Sequence, residues 1–334
     1  MRLGWLELRR SKKRFMMIGG VTTLILLLVW MISGLADGLA YDNGSVYRLM
    51  PDARFTLEAD AKGDVTRSFL TDDAPAGTEK LGAQMVTLET RDGTKTDAAV
   101  FALAGGSRYA PKEAARLRKG EVLVDTSLLA EGGAKVGDAV TDFRTKQEFR
   151  ITGTTPGRYS HAPVLWMTWE TWQDWQETIG VSYASAFIGE SGKYSLRDVI
   201  ESVPGYSAEQ SSFQMMRLFL VLIGALLLSA FFYLTTMEKL PQLGILKAIG
   251  LQNRRMGEAL LLQVVFVAAA AAVCSFALAL VLKNILPADI PFRLEAGGFL
   301  YAGILLASAL IGALFPLRLL GRVEPADVIG GVRG

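Results

Sequence analysis

Long apolar stretches alternate with polar ones along this chain, and four apolar stretches contain no charged residue. They cover Phe15–Leu35, Leu218–Met237, Ala259–Leu282 and Ala296–Leu317. At a rise of about 1.5 Å per residue, a helix of about 20 apolar residues crosses the hydrocarbon core of a bilayer. The pattern therefore predicts four transmembrane helices, which we place at residues 15–36, 213–237, 258–282 and 296–318.

The segment 37–211, between the first and second apolar stretches, is too long for a connecting loop and long enough for a compact domain. Short strand-like runs, separated by turn signals, occur at Val46–Leu49, Arg54–Leu57, Gln84–Thr90, Ala98–Ala102, Glu121–Asp125, Gln147–Thr152 and Val164–Thr168. Helical patterns occur at Pro111–Lys119, Thr168–Thr178 and Ser195–Ser202. This alternation predicts a mixed α+β domain.

Charge predicts the orientation of the chain in the membrane. Residues 1–14, 238–258 and 318–334 together hold 13 Lys/Arg against five acidic residues, whereas residues 37–209 hold 19 Lys/Arg against 26. The positive-inside rule then places both termini and the loop 238–257 in the cytoplasm. The predicted fold class is an α-helical membrane protein with four transmembrane helices and a mixed α+β extracytoplasmic domain between the first and second. The expected location is the cell membrane, with a short external loop at 283–295.

The ends of the chain and its rare residues add further limits. Residues 1–14 form either an interfacial helix or only a basic topogenic tail, and 319–334 form a cytoplasmic tail. The first apolar run exceeds the h-region of a cleaved signal peptide, so we expect it to be retained. One cysteine, Cys274, and one histidine, His161, exclude a clustered Cys/His metal site and an intramolecular disulfide.

The loop between the second and third spans carries the most informative cytoplasmic motif. Pro241 suits a first helical turn and Gly250 suits a left-handed C-terminal cap, so residues 241–250 predict a short helix. Leu243, Leu246 and Ile249 recur at helical spacing and form an apolar stripe. The stripe either docks in a partner's groove or packs on the chain's own helices.

Three segments in order resemble one permease family. "QLGILKAIGLQNRRM" resembles the coupling-helix signature of the MacB/FtsX superfamily of ABC permeases, also called type VII. "EVLVDTSLLAEGGAKVGDAVTDF…FRITGTT" and "FPLRLLGRVEPADVIGG" are similar to the family's periplasmic core segment and C-terminal signature. The order of one span, a large external domain and three spans is also that family's topology. Within it, "KLPQLGILKAIG" and "RYSHAPVLW" look most like the HrtB/DevC branch, whose HrtB members are haem-exporter permeases of Gram-positive bacteria.

This resemblance implies a homodimer in the lipid bilayer that works with two ABC ATPase subunits and moves like a bellows. ATP and Mg would bind the partner, because the chain has no nucleotide-binding loop of its own. The coupling residues would then be Gln242, Leu243, Gly244, Ile245, Leu246, Lys247, Ala248, Ile249 and Gly250. We expect no cofactor of the chain's own, no nucleic-acid partner and no catalytic residue, with haem as substrate rather than cofactor.

Haem requires an apolar slot, an axial iron ligand and cations for its propionates. The ends of the first two spans supply these types, with Trp30 and Met31 on the first and Phe213, Met215, Met216, Arg217 and Phe219 on the second. Arg217 either extends to the aqueous boundary or clamps a propionate. Met215 and Met216 are iron ligands or core filler.

Further haem candidates lie in the external domain. Tyr41 and Tyr47 are interfacial anchors or phenolate ligands, while Tyr159 and His161 belong to the "RYSHAPV" string. His161 is a surface residue or a substrate contact. Trp166, Trp169, Trp172 and Trp175 form either a platform for a flat ligand or core packing.

The predicted function is the permease subunit of an ABC efflux pump that extrudes haem, or a similar amphipathic molecule, from the outer leaflet. One alternative is an FtsX-like mechanotransmission subunit that controls an extracytoplasmic partner. Another is export of a lipid, peptide or antibiotic. An ectoenzyme is not expected, because no nucleophile elbow or zinc motif accompanies the carboxylates.

Overall fold

The computed structural model describes residues 12–239, 244, 245, 247, 252–287 and 290–320. The chain forms two compact units, one up to Gly38 and from Ser212 onward, the other over Leu39–Ser211. In chain order the elements are α1 (Lys12–Gly44), β1 (Arg54–Thr56), β2 (Thr78–Glu89), β3 (Lys95–Leu103), β4 (Glu121–Val124), α2 (Thr126–Gly132), β5 (Ala139–Asp142), β6 (Glu148–Thr154), β7 (Arg158–Tyr159), β8 (Ala162–Thr168), α3 (Trp169–Thr178), β9 (Ala186–Gly189), α4 (Leu196–Glu201), α5 (Tyr206–Met237), α6 (Asn253–Ile285) and α7 (Ala296–Leu320).

Four helices, α1, α5, α6 and α7, are long and apolar enough to cross a membrane. All four extend beyond the apolar runs, because the residues that flank the runs are compatible with helix. Within this unit Trp30 is buried and its ring centroid lies 5.1 Å from that of Phe276 and 4.8 Å from that of Phe299. The predicted fold class is confirmed, and Trp30 is a packing residue of the helical unit.

Helices α5 and α7 approach closely at small residues. A Cβ built on Gly312 would lie 2.4 Å from Ser229 Cα, and one turn earlier Ser229 Oγ donates a hydrogen bond to the Ser308 carbonyl oxygen at 2.9 Å. By contrast, a Cβ on Gly303 would meet no atom within 4 Å. Of the small residues spaced four apart on α7, Ser308 and Gly312 therefore lie at a helix contact.

The unit Leu39–Ser211 is built on strands that close into a ring. The strand order is β1-β9-β2-β3-β8-β4-β6-β5, and β5 also pairs with β2 through Leu88 with Asp142 and Glu89 with Thr141. Because β2 is twelve residues long, its first part pairs with β9 while the rest belongs to the ring. The six strands β2, β3, β8, β4, β6 and β5 thus form a closed barrel.

Alternate side chains of the central strands enter two different cores. In β3, Phe101 belongs to one buried cluster, whereas Val100 and Ala102 belong to the other. Strand β8 behaves likewise, with Trp166 in the first cluster and Met167 in the second. This follows from the two-residue period of a strand whose two faces are both covered.

Two local predictions are corrected by the structure. Val46–Leu49 was expected to be a strand, but Ser45–Leu49 is a 3₁₀ helix whose Val46 and Tyr47 are buried together. Pro111–Lys119 contains only a short 3₁₀ helix, Lys112–Arg116. In both segments apolar side chains three residues apart fit a tight helical turn as well as the predicted element.

The tryptophan cluster is core packing, not a ligand platform. Trp166, Trp172 and Trp175 are buried, and Trp172 lies so close to Gly82 that a Cβ there would be 2.5 Å from the indole ring. Two of these indoles donate hydrogen bonds, Trp172 Nε1 to the Tyr183 carbonyl oxygen at 3.2 Å and Trp175 Nε1 to Asp142 Oδ2 at 3.1 Å.

Candidate functional site

Arg217 forms an ion pair that joins α5 to α1. Its Nη2 donates to Asp37 Oδ1 at 2.7 Å and to the Ser33 carbonyl oxygen at 3.1 Å. Both charged side chains are only 15% exposed, and Arg217 Cζ lies 5.6 Å from the centroid of the Tyr301 ring on α7. The guanidinium is therefore held inside the helical unit by three helices, so Arg217 does not simply extend to water.

The polar atoms around this pair are incompletely satisfied. Arg217 Nε, Asp37 Oδ2 and Ser33 Oγ are buried, and each has no hydrogen-bond partner among the described residues. Arginine and carboxylate groups often pair through two parallel hydrogen bonds. Here one N–H contacts one carboxylate oxygen, and unused donor and acceptor capacity remains beside it.

The methionines near Arg217 point away from the packed interior. Met215 is 59% exposed and Met216 is 46% exposed, and Phe219 on the next turn is also exposed. Met31 on α1 is half-buried. The core-filler interpretation of Met215 and Met216 is therefore wrong for the single chain, in which both thioethers and the Phe219 ring are exposed while Arg217 faces the interior of the helical unit.

Tyr159 lies in the core of the unit Leu39–Ser211. Its side chain is 1% exposed, and Oη donates to Asp64 Oδ1 at 3.0 Å and lies 3.3 Å from Thr66 Oγ1. Burial, and next the charge of Asp64, raise the pKa of Tyr159 well above its usual value. The phenol stays protonated and enclosed, which argues against Tyr159 as a phenolate ligand.

We expect Tyr159→Phe to lower the free energy of unfolding by about 1 kcal/mol, because a buried hydrogen bond is lost while Asp64 keeps its bonds from Thr66. Haem binding by the full chain should not change. Thermal unfolding and a Soret titration of the same preparation measure both quantities. A weakened haem affinity with unchanged stability would contradict the core assignment.

Tyr47 is also a core residue. Its ring centroid lies 5.8 Å from Phe55, 5.9 Å from Phe101 and 6.0 Å from Tyr159, and it is fully buried. Neither the interfacial-anchor nor the ligand interpretation fits that position. Tyr41 is half-buried on α1, with Arg48 Cζ 4.9 Å from its ring centroid.

His161 lies at the tip of the β7–β8 hairpin. Tyr159 pairs with Ala162, and the two residues between them, Ser160 and His161, have positive φ values of 47° and 65°. Positive φ at both central positions is typical of a type I′ hairpin turn. The imidazole is 42% exposed, as expected for a residue in a polar turn.

Within the unit Leu39–Ser211, the hairpin contacts the end of α1 and the start of α5. Ser160 N donates to the Asn43 carbonyl oxygen at 2.9 Å, and His161 Nε2 lies 3.4 Å from Glu209 Oε2. Asn43 Nδ2 donates to the same Glu209 oxygen at 2.5 Å, and Arg158 Nη1 donates to Asp42 Oδ2 at 3.2 Å. This places the single histidine in a polar network with a carboxylate.

The coupling segment is described only in part. Gly244, Ile245 and Lys247 are helical, with Gly244 buried and Ile245 exposed. Gln242, Leu243, Leu246, Ala248, Ile249 and Gly250 lie outside the described residues, as do most of the segment 1–14 and the tail from residue 321. Just before this segment, Lys239 is buried on the helical unit and its Nζ donates to Gln263 Oε1 at 2.7 Å.

Sequence reasoning missed two acidic residues that the structure places beside candidates, Asp37 with Arg217 and Glu209 with His161. A signal for the first was available. Asp37 lies two residues after the first apolar run ends, and Arg217 lies one residue before the second begins. Opposite charges at the same predicted edge of two spans indicate an ion pair, since an unpaired charge there is costly.

Comparison with known proteins gives matches along the whole chain. Residues 215–325 match the family model described as the FtsX-like permease C-terminal domain. A protein of Staphylococcus haemolyticus named as a hemin transport system permease protein, HrtB, is 29% identical and is covered completely, with 99% of this chain. The protein of the same name from Staphylococcus epidermidis is 24% identical, with 99% of each chain covered.

Among solved structures, the periplasmic region of MacB from Actinobacillus actinomycetemcomitans aligns with 51% of this chain and 85% of its own length. The alignment has 12% identity and a TM-score of 0.29. The family resemblance predicted from the sequence motifs is confirmed by the domain match and by the full-length relatives.

Proposed function

We propose that this chain, an FtsX-like permease by its residues 215–325, is the membrane subunit of an ABC exporter for haem or a similar amphipathic molecule. The observation that carries the proposal is the similarity, along both full chains, to proteins named as hemin transport permeases. Helix α5 supports it by offering both kinds of group at the same level, with Met215, Met216 and Phe219 on its exposed side and the cation Arg217 on its buried side.

In this proposal the substrate reaches the permease from the lipid. A porphyrin is apolar over most of its surface, so it concentrates in the bilayer before it is recognised. The exposed face of α5 offers thioether and aromatic groups at membrane depth, where contacts to an apolar macrocycle need no water to be displaced from polar groups. Arg217 supplies the cation that a propionate requires.

The chain supplies no catalysis, and the energy comes from ATP bound to a partner ABC ATPase. Two copies of this chain and two ATPase subunits form the working complex, with both termini and the segment 241–250 on the cytoplasmic side. ATP binding draws the two coupling segments together and moves α5. The alternative of an FtsX-like transmitter predicts the same assembly without an amphipathic substrate.

We test the proposal with the permease–ATPase complex in lipid nanodiscs, titrated with haem while the Soret band and the ATPase rate are recorded. A saturable Soret shift with a raised ATPase rate is expected. An unshifted spectrum in a complex whose ATPase is active would overturn haem export. An ATPase rate that responds to an extracytoplasmic protein but not to haem would establish the transmitter function instead.

The coupling stripe gives a second expected result. Leu246→Glu should abolish the haem-stimulated part of the ATPase rate, because a charge enters the apolar stripe. The Soret titration should remain as in the wild type, since the substrate site lies on other residues. Gln252→Glu, which adds the same charge outside the stripe, is the matched control, and an equal loss in both variants would contradict the role of the stripe.

A further inference from the structure

The ion pair of Arg217 and Asp37 is made by one hydrogen bond, not two. Arg217 Nη2 reaches Asp37 Oδ1 at 2.7 Å, while Arg217 Nε and Asp37 Oδ2 are both buried without a partner among the described residues. A bidentate contact would have satisfied both atoms. The observed contact therefore leaves part of the attraction between arginine and carboxylate unused.

The guanidinium is held in place by groups other than Asp37. Its Nη2 also donates to the Ser33 carbonyl oxygen at 3.1 Å, and the Tyr301 ring lies 5.6 Å from Cζ. A backbone acceptor and an aromatic ring restrict the position of an arginine without neutralising its charge. Among the described residues, the contact to Asp37 is the one that neutralises the charge, and it can be replaced by another carboxylate.

We propose that Asp37 is a specificity-determining residue that occupies Arg217 in the empty transporter and is displaced by a carboxylate of the substrate. This rests on the proposed function, in which the substrate is an amphipathic acid. An entering carboxylate that engages Nη2 and Nε together satisfies the donor that Asp37 leaves unpaired. An uncharged amphiphile has no group that displaces Asp37, so the pair selects acids.

The pair also explains why the cation Arg217 can be buried in an apolar unit of the empty transporter. Without Asp37, Arg217 would stand there as a buried charge, which is costly in an apolar medium. With Asp37 the pair is neutral until a second carboxylate arrives. Asp37 thus has two effects. It stabilises the empty site by neutralising Arg217, and it lowers the affinity for acidic substrates because it competes with them for Arg217.

The test compares protoporphyrin IX with its dimethyl ester, in which the two carboxylates of the same macrocycle are replaced by uncharged methyl esters. Their dissociation constants are measured by porphyrin fluorescence on the full permease–ATPase complex in nanodiscs. In Asp37→Asn the acid should bind about ten- to a hundredfold more tightly, the effect of removing one charge-assisted competitor, and the ester should bind as before. Asn keeps an oxygen that accepts from Arg217, and thermal unfolding of the probe-free variant shows whether it is folded, because the uncompensated cation lowers its stability.

Two further variants make the result specific. Arg217→Gln should remove the response, so that Asp37→Asn/Arg217→Gln binds the acid no better than Arg217→Gln alone. Asp42→Asn is the matched control, because Asp42 lies on the same helix α1 but pairs with Arg158. That control should leave the ratio of acid to ester affinity unchanged.

The outcomes separate this inference from the proposed function. If the wild type binds both porphyrins and Asp37→Asn weakens both equally, or changes neither, Asp37 is a structural partner and the inference is overturned while porphyrin binding stands. If the wild-type complex, with active ATPase, binds neither probe, the proposed function fails and the inference falls with it. A selective gain for the acid supports both.

Discussion

Gly312→Ala is expected to be highly disruptive, with a loss of about 3 kcal/mol in the free energy of unfolding. The added Cβ would lie 2.4 Å from Ser229 Cα and 2.6 Å from Ser229 O. These are backbone atoms of the neighbouring helix α5, so no side chain can rotate away to relieve the clash. Helices α5 and α7 must separate, and the hydrogen bond from Ser229 Oγ to the Ser308 carbonyl oxygen is lost with them.

Gly303→Ala on the same helix is the matched control, because its Cβ meets no atom within 4 Å. Alanine is the better helix former, so we expect no loss of stability there. Thermal unfolding of the two variants in the same detergent, with the ATPase rate of the complex as a second readout, measures the difference. Equal effects at the two glycines would show that the close approach of α5 and α7 does not stabilise the protein.

Arg217→Ala should cost about 3–5 kcal/mol, because it leaves the carboxylate of Asp37 in the helical unit without its cation. The side chains of both residues are only 15% exposed, so water screens the remaining charge weakly. Removing both partners in Arg217→Ala/Asp37→Ala should recover much of the loss, since no uncompensated charge remains. Unfolding of the single and double variants in a double-mutant cycle gives the coupling energy between the two side chains.

A surface pair serves as the control for this cycle. Arg197 Nε lies 2.6 Å from Glu201 Oε1, but both side chains are well exposed. Arg197→Ala should leave the unfolding midpoint unchanged, because exposed ion pairs contribute little. If Arg217→Ala behaves like Arg197→Ala, then the Arg217–Asp37 pair is solvated in the membrane and its proposed role in specificity loses its basis.

The sequence predicts elements whose signal is local. Uninterrupted apolar runs identify the cores of α1, α5, α6 and α7, and a serine cap predicts the start of α4, where Ser195 and Asp198 form a capping box. The closure of the barrel was not predictable, because it depends on pairing β2 with β5 across about 50 residues. The strand prediction for Val46–Leu49 is wrong for a similar reason, since the conformation of this segment depends on the burial of Tyr47 against rings that are distant in sequence.

The candidate site shows the same division. Arg217 was identified by its chemistry at the edge of a span, but its partner Asp37 is 180 residues away in the chain. Tyr159 and His161 are close in sequence and have opposite environments, because Tyr159 is buried at the end of β7 and His161 lies at the tip of a turn. Residue type therefore identified candidate haem-binding groups, but whether each side chain is buried or exposed depends on tertiary structure and could not be predicted from the sequence.

The closed strand ring has a mechanical consequence. It has no free strand edge of its own to pair with another chain, which protects a β domain from aggregation. Yet the closure between β2 and β5 consists of only two residue pairs, extended by Phe143 N, which donates to the Thr87 carbonyl oxygen at 2.9 Å. This seam is the shortest pairing in the ring. Under a pulling force on the domain, β2 and β5 should separate first, which would open the barrel into a sheet while the other five strand pairings stay intact.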